Sequence, residues 1–217
     1  MTQASTDMAD YYQQRASYYD RVYEVPERQS DLQRLRELVP ALLAGCDVLE
    51  VAAGTGYWTQ FVAAAAASVY ATDVNSAPLA VAAARDYPRA NVRFAHGDAF
   101  GLDRVPGVFT GALVGFWWSH LLRGQTSTFL DGLCRRLEKG SAVVIIDNRY
   151  VEGSSGPIVD VDEHGNTFQR RILHDGRTYE VVKNFPTADE LLASVRPFGE
   201  GAEVTELEHY WLLRFTT

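Results

Sequence analysis

The sequence predicts an α/β fold: a three-layer, doubly wound sheet, mostly parallel, with an antiparallel strand pair at its C-terminal end, a helical cap in front and an inserted β-hairpin. Three observations predict it. From about residue 46 to 147, short apolar runs alternate with helical segments, which is the pattern of crossover units on a parallel sheet. The segment VLEVAAGTGYW, starting at Val48, puts a carboxylate inside a strand and glycines where the next helix should begin. After Asp147 the helical period gives way to GSSGP, HGN and DGR, three turn signals between extended stretches.

Each element follows from its pattern. Tyr12, Ala16, Tyr19 and Tyr23 share one face of a helix over 8–24, and Leu32, Leu35, Leu38 and Leu42 one face of a helix over 31–43. Strands follow at 48–51, 68–74, 91–96, 110–116 and 142–147. The helices between them span 57–67, 76–87 with Ser76 as N-cap, and 126–139 closed by Gly140. NTFQRRIL and TYEVVKNF form the inserted hairpin, with His174 to Arg177 at its tip. Thr187 to Glu190 is a capping box that opens a helix through Val195, and strands at 203–208 and 210–215 pair antiparallel. The expectation is one domain over 1–217: a cap at 1–44, a core at 45–147, an insertion at 148–186 and a C-terminal helix and strand pair at 187–217.

With 217 residues, 47% hydrophobic and 22% charged, the chain can bury a sizeable core. Its net charge of -8 and lack of a basic run argue against nucleic acid or an anionic membrane as partner. The start of the chain is polar, and the two cysteines, Cys46 and Cys134, have neither metal-ligand spacing nor disulfide density. These features predict a cytoplasmic protein, monomeric or homodimeric, without a bound metal.

In a doubly wound sheet, ligands sit at the carboxyl ends of the strands. Gly54 and Gly56 let the backbone turn tightly after the first strand. Asp73 ends the second strand, where a carboxylate can accept both hydroxyls of a ribose. Asp98 follows the third, where it can accept from the amino group of an adenine.

With those residues in view, the chain resembles the class I, Rossmann-like S-adenosylmethionine (SAM)-dependent methyltransferases, over most of its length from about Cys46. EVAAGTG is similar to that family's acid-x-Gly-x-Gly-x-Gly loop, with Ala52 in the first glycine position. The resemblance implies a seven-stranded sheet closed by a reversed hairpin. It implies SAM as cofactor and S-adenosylhomocysteine (SAH) as product. It also gives Glu50 a place beside the loop and the ligand's ammonium end. Asp73 matches the family's ribose acid, Asp98 with Ala99 its adenine-contacting pair, and GALVGFWWSHL the fourth strand and the loop facing the substrate. Trp58, Val74 and Phe116 complete the expected cofactor wall.

His120 has a pKa suited to proton abstraction and lies in that loop, so it is the candidate base; the other reading is a turn residue bonded to the backbone. Tyr19 is the second catalytic candidate. Trp117, Trp118, Tyr12, Asp147 and Arg149 are the candidate acceptor contacts, and the tryptophans suggest a flat, heteroaromatic acceptor. The insertion, with Arg170 and Arg171, either covers the acceptor or forms a surface or dimer contact. The expected reaction is in-line methyl transfer to N, O or S of a small molecule. Two alternatives stand beside it: a non-catalytic SAM-binding partner protein and an NAD(P)-dependent oxidoreductase. The latter is opposed by Thr59 where its third glycine belongs and by Tyr57 and Trp58 where a pyrophosphate needs room.

Overall fold

The structure, a computed structural model, describes residues 3–89 and 91–217, with side chains from Asp7 onward. The chain opens with α1 (Gln3–Arg15), a 3-10 stretch (Ala16–Tyr23) and α2 (Gln29–Leu42). The core follows as β1 (Asp47–Val51), α3 (Thr59–Ala65), β2 (Ser68–Asp73), α4 (Ser76–Ala83), β3 (Val92–His96), β4 (Phe109–Gly115), α5 (Thr126–Cys134) and β5 (Leu137–Asn148). The insertion contributes β6 (Ile158–Val161), β7 (Thr167–Ile172) and β8 (Thr178–Val182), and the chain ends with α6 (Ala188–Val195), β9 (Glu200–Glu206) and β10 (Tyr210–Thr216).

Seven strands form one sheet in the order β3-β2-β1-β4-β5-β10-β9. The first five are parallel, β10 runs antiparallel to both β5 and β9, and the sheet is Rossmann-like as expected. Strand order reverses beside β1, between β2 and β4, which opens a crevice at their carboxyl ends. Apolar residues pack on both faces. Leu49, Val114, Phe129 and Trp211 belong to one cluster, and Leu35, Val48, Val62 and Leu113 to the other. Alternate residues of β1 thus serve opposite layers, as the period of two requires. Among the described residues no helix is long and apolar enough to cross a membrane.

Four elements differ from expectation. The helix expected over 8–24 stops at Arg15 and tightens into the 3-10 stretch. The tighter turn brings Tyr23 flat against Tyr57, with ring centroids 3.7 Å apart, and Asp20 onto the Thr55 hydroxyl and the Arg85 guanidinium. The helix expected to reach 139 ends at Cys134, because β5 already begins at Leu137. Gly140 is therefore no helix cap. It sits inside β5 at φ +84° and donates its N–H to Thr217, next to a register shift in the β4–β5 ladder. The N-cap of α4 is Asn75 rather than Ser76. The insertion is a three-stranded antiparallel sheet, β6-β7-β8, because β6 adds an edge strand to the expected hairpin. The capping box at Thr187 is present, with Glu190 and Thr187 bonded reciprocally.

Candidate active site

The crevice holds a cavity of about 370 Å3. Its floor is the turn after β1. Ala52 and Gly54 both take left-handed backbone there, at φ 56° and 57°. Gly54 donates its N–H to Asp73 Oδ2 at 2.9 Å while Asn75 N–H binds Oδ1 at 2.8 Å, so two backbone donors aim this carboxylate at the turn. Burial still raises the pKa of Asp73, against the pull of those bonds. Asp98 lines the cavity and accepts from Phe100 N–H at 2.9 Å. The roof is α1 and the 3-10 stretch, through Met8, Tyr12, Ala16, Tyr19 and Tyr23. This cap is pinned to the floor, since Thr55 donates to Asp20 at 2.5 Å and Arg85 donates to the Thr55 carbonyl at 2.6 Å.

Glu50 is the unusual group of the floor. It is 2% exposed and its Oε2 has no hydrogen-bond partner. Burial pushes its pKa up to about 8, offset slightly by the neighbouring Thr59 hydroxyl. A carboxyl held this way ionises readily only when a cation comes to it.

Of the residues expected to hold cofactor, Glu50, Ala52, Gly54, Trp58, Asp73, Val74, Asp98, Ala99 and Phe116 all line this cavity. Gly56 does not. A Cβ at Gly56 would meet the Tyr87 hydroxyl and lie 3.0 Å from Ala82 Cβ, so this glycine serves the packing of α4 against the loop. Phe116 repeats the Ala52 conformation at φ 58°. The two non-glycine residues with left-handed backbone thus face one cavity.

A second, polar chamber of about 190 Å3 adjoins the first. Tyr12, Tyr19, Tyr23, Phe116 and His120 line both, so they form the wall between them. Behind that wall stand Arg15, Arg28, Arg171 and Lys183, and among the described residues no Asp or Glu lines this chamber. Among the described residues none of the three arginines is ion-paired with a carboxylate. Arg28 donates to the carbonyl and hydroxyl of Ser154, both at 3.0 Å, and Arg171 donates to Gln169 Oε1 at 2.7 Å.

His120 ends a short 3-10 turn after β4 and is buried. Its Nδ1 lies 2.7 Å from the Val182 carbonyl, which can only accept, so Nδ1 carries the proton. Nε2 is then an acceptor, and the Tyr12 hydroxyl donates to it at 2.8 Å. Burial, with the Lys183 cation nearby, pushes the pKa of His120 down to about 3 and keeps the imidazole neutral. Lys183 donates to Ser119 Oγ at 2.6 Å and reaches Asp147 Oδ1 at 3.3 Å. Asp147 is fully buried. Burial would raise its pKa, but Lys183, His120 and the Ser119 amide together hold it below the usual carboxylate range.

The expected acceptor contacts divide. Tyr12 lines both chambers and Trp117 the first, with its buried Nε1–H unpartnered. Trp118 is core, edge-on to Trp211 with centroids 6.2 Å apart. Asp147 lines neither cavity and stands behind Lys183. Arg149 also lies outside both, paired with Glu206 and donating to the Leu207 carbonyl. The base candidates His120 and Tyr19 both line the shared wall; burial pushes the Tyr19 phenol up to about 12. Arg15, Arg28 and Lys183 were not foreseen. Arg171 was flagged with the insertion, and the lone Lys183 in the apolar run EVVKNF was the one remaining signal.

Residues 48–140 match the family model for a methyltransferase domain. Over its whole length the chain is 26% identical to the whole of a solved "DhpI-SAM-HEP complex", with a TM-score of 0.80. Residues 48–140 thus match a methyltransferase domain, and the fold is the Rossmann-like one of SAM-dependent methyltransferases. A second structure, the "DhpI-SAH complex structure", is 28% identical over 97% of this chain and 95% of that one, with a TM-score of 0.76. The fold also matches that of the CcbJ methyltransferase from Streptomyces caelestis, at 17% identity over 95% of this chain and 97% of that one, with a TM-score of 0.68. Among curated proteins no sequence matches the chain.

Proposed function

We propose that this methyltransferase transfers the methyl group of SAM to a small acceptor that carries an anionic group. The observation that carries the reading is the charge of the two chambers. Among the described residues, the larger is lined by Glu50, Asp73 and Asp98 and by no Lys or Arg; the smaller is lined by three Arg and one Lys and by no acid. An acid-lined cavity suits a donor that is itself a cation and repels a pyrophosphate, which supports SAM over a dinucleotide. The residues present fit SAM in three further respects. Glu50 Oε2 is buried without a partner, as an ammonium would require. Ala52 and Gly54 open the backbone toward the ligand. Tyr19, Tyr23, Trp58 and Phe116 offer aromatic faces to a sulfonium.

Bound SAM supplies an electrophilic methyl, whose bond to sulfur breaks as the acceptor's bond to it forms, leaving SAH. The chain's residues do the positioning. Arg15, Arg28 and Arg171 hold the anion, with charge-assisted bonds that fix its orientation. The aromatic wall keeps water from the reacting atoms and aims the acceptor across it, where proximity lowers the barrier. If the attacking atom loses a proton, His120 Nε2 is the lone pair placed to receive it, and the anionic acceptor's charge must offset the burial and the Lys183 cation that otherwise keep this imidazole neutral. A flat heteroaromatic acceptor loses the pair of tryptophans that suggested it, because Trp118 is core. A non-catalytic SAM binder would have no use for a neutral imidazole aimed between two chambers.

The test is SAH release across matched acceptors: small hydroxy- and amino-carboxylates, phosphomonoesters and phosphonates, each beside an uncharged amide or ester. Turnover should be confined to the anions. Arg171→Gln should raise the acceptor KM at least tenfold while calorimetric SAH affinity stays the same. Equal turnover of neutral partners together with a silent Arg171→Gln would sink the anionic acceptor.

A further inference from the structure

Among the described residues, the only hydrogen-bond donor to the Nε2 of the candidate base is a phenol from the roof. Tyr12 lies in α1, which packs against β8 and α4. Its hydroxyl is 2.8 Å from His120 Nε2, and the rings meet edge to face with centroids 5.4 Å apart. Both residues stand in the wall between the donor cavity and the cationic chamber, so the lone pair that would receive the acceptor's proton is already filled. The other groups facing His120 cannot fill it. Val182 holds Nδ1, Asp147 is bonded to Ser119, Lys183 donates to Ser119 and Asp147, and Arg171 donates to Gln169. Tyr19 stacks edge-on against Tyr12 rather than on the imidazole.

We propose that the Tyr12 hydroxyl is a removable stopper on His120: it occupies Nε2 in the resting enzyme, keeps water off it, and gives way to the acceptor's own O–H or N–H. The proposal rests on the reading of His120 as the base. It adds that the attacking atom arrives protonated, and that Tyr12 is a positioning residue which keeps the Nε2 lone pair, left free by the Val182 bond to Nδ1, aimed at the wall. A phenol this deeply buried has its pKa raised, so it is no base itself. When the acceptor displaces it, the proton on the attacking atom passes to Nε2 as that atom bonds the methyl and the methyl leaves sulfur.

Water is the probe that needs no knowledge of the acceptor. With SAM alone, the wild type should release SAH slowly. Tyr12→Ala opens a water-sized space at Nε2 and should raise acceptor-free release of SAH and methanol about tenfold. Adding His120→Gln should return that rate to the wild-type level. Tyr12→Phe tests the contact without opening space. In ring-nitrogen NMR of the SAH-loaded protein, the His120 Nε2 resonance should move toward that of a free lone pair while Nδ1 stays protonated. No rise in Tyr12→Ala, a rise that survives His120→Gln, or an unmoved Nε2 in Tyr12→Phe each overturns the stopper. Failure of the base reading shows separately, as full turnover by His120→Gln with an acceptor from the matched panel.

Discussion

The two chambers differ in charge and in how the chain builds them, and the contrast underlies the role proposed for each. The larger cavity, proposed to take the donor, is acidic and made of neighbours: Glu50, Gly54, Asp73 and Asp98 lie at or just after the ends of three successive strands, β1, β2 and β3. The smaller chamber, proposed to take the acceptor, is basic and made of strangers: Arg15 and Arg28 come from the cap, Arg171 from β7 and Lys183 from just beyond β8. A cation and an anion would thus be drawn to opposite sides of one aromatic wall, which is the arrangement a methyl transfer between them needs. The donor side is fixed by sheet topology, so it can be general to a family. The acceptor side is fixed by elements added to that sheet, so it can be specific.

The sharpest break of the comparison is at Lys183, whose charge is balanced from behind by buried Asp147. Lys183→Met leaves that carboxylate without its cation and should cost about 3–5 kcal/mol, roughly 10 °C in thermal midpoint. Lys183→Met combined with Asp147→Asn should recover most of the loss. A single variant as stable as the wild type would mean that Ser119 and Asn148 alone satisfy Asp147.

On the donor side, Asp73→Ala removes the acceptor of two backbone N–H groups as well as the expected ribose contact. SAH affinity should fall about a hundredfold, close to 3 kcal/mol, by calorimetry. Retained affinity would remove Asp73 from the cofactor site.

These two sites also show why one chamber was legible in the sequence and the other was not. Strand-end acids and a glycine turn are local, and the register of β1, β2 and β4 carries them to the crevice without further information. Gly56 fitted the same motif yet serves packing, because a pattern cannot tell a ligand from Tyr87. The basic chamber depends on how α1 and the small sheet lie on the body, and no periodicity encodes that. Lys183 read as the end of an apolar strand, and Asp147 as an open strand end rather than the buried partner of Lys183.

Glu50 sharpens the comparison through pH. Its pKa is raised from 4.5 to about 8, so the neutral form is the one the ligand-free fold prefers. Its stabilising effect is therefore complete below pH 4.5 and lost as pH rises toward 8. Glu50→Gln should leave ligand-free stability unchanged near pH 4.5 and raise it by roughly 2 kcal/mol near pH 8. SAH affinity should change the other way, falling about tenfold in the variant, because the cation that would ionise Glu50 loses its partner. Thermal melts at both pH values with and without SAH read the two effects. If both move in the same direction, Glu50 is a structural group and not the ammonium's partner.

The smallest effect concerns the strained turn. Ala52 holds φ 56°, where a β-carbon costs about 1–2 kcal/mol, while glycine in its place would lose about 0.5–1 kcal/mol more backbone entropy on folding. Ala52→Gly should therefore stabilise by only some tenths of a kcal/mol, with SAH affinity within threefold of wild type, since the backbone donors stay in place. Gly56→Ala makes the opposite point two turn positions later. Its new methyl would sit 3.0 Å from Ala82 Cβ and 3.2 Å from Ala82 Cα, at φ +74°, so it should destabilise more than Ala52→Gly stabilises. Denaturation midpoints of the pair decide whether the first glycine position of this loop is free to vary because its side faces the ligand cavity, while the third is held by the helix behind it. Equal tolerance at both would mean that the loop moves as a unit and that its strain is spread over all of its residues.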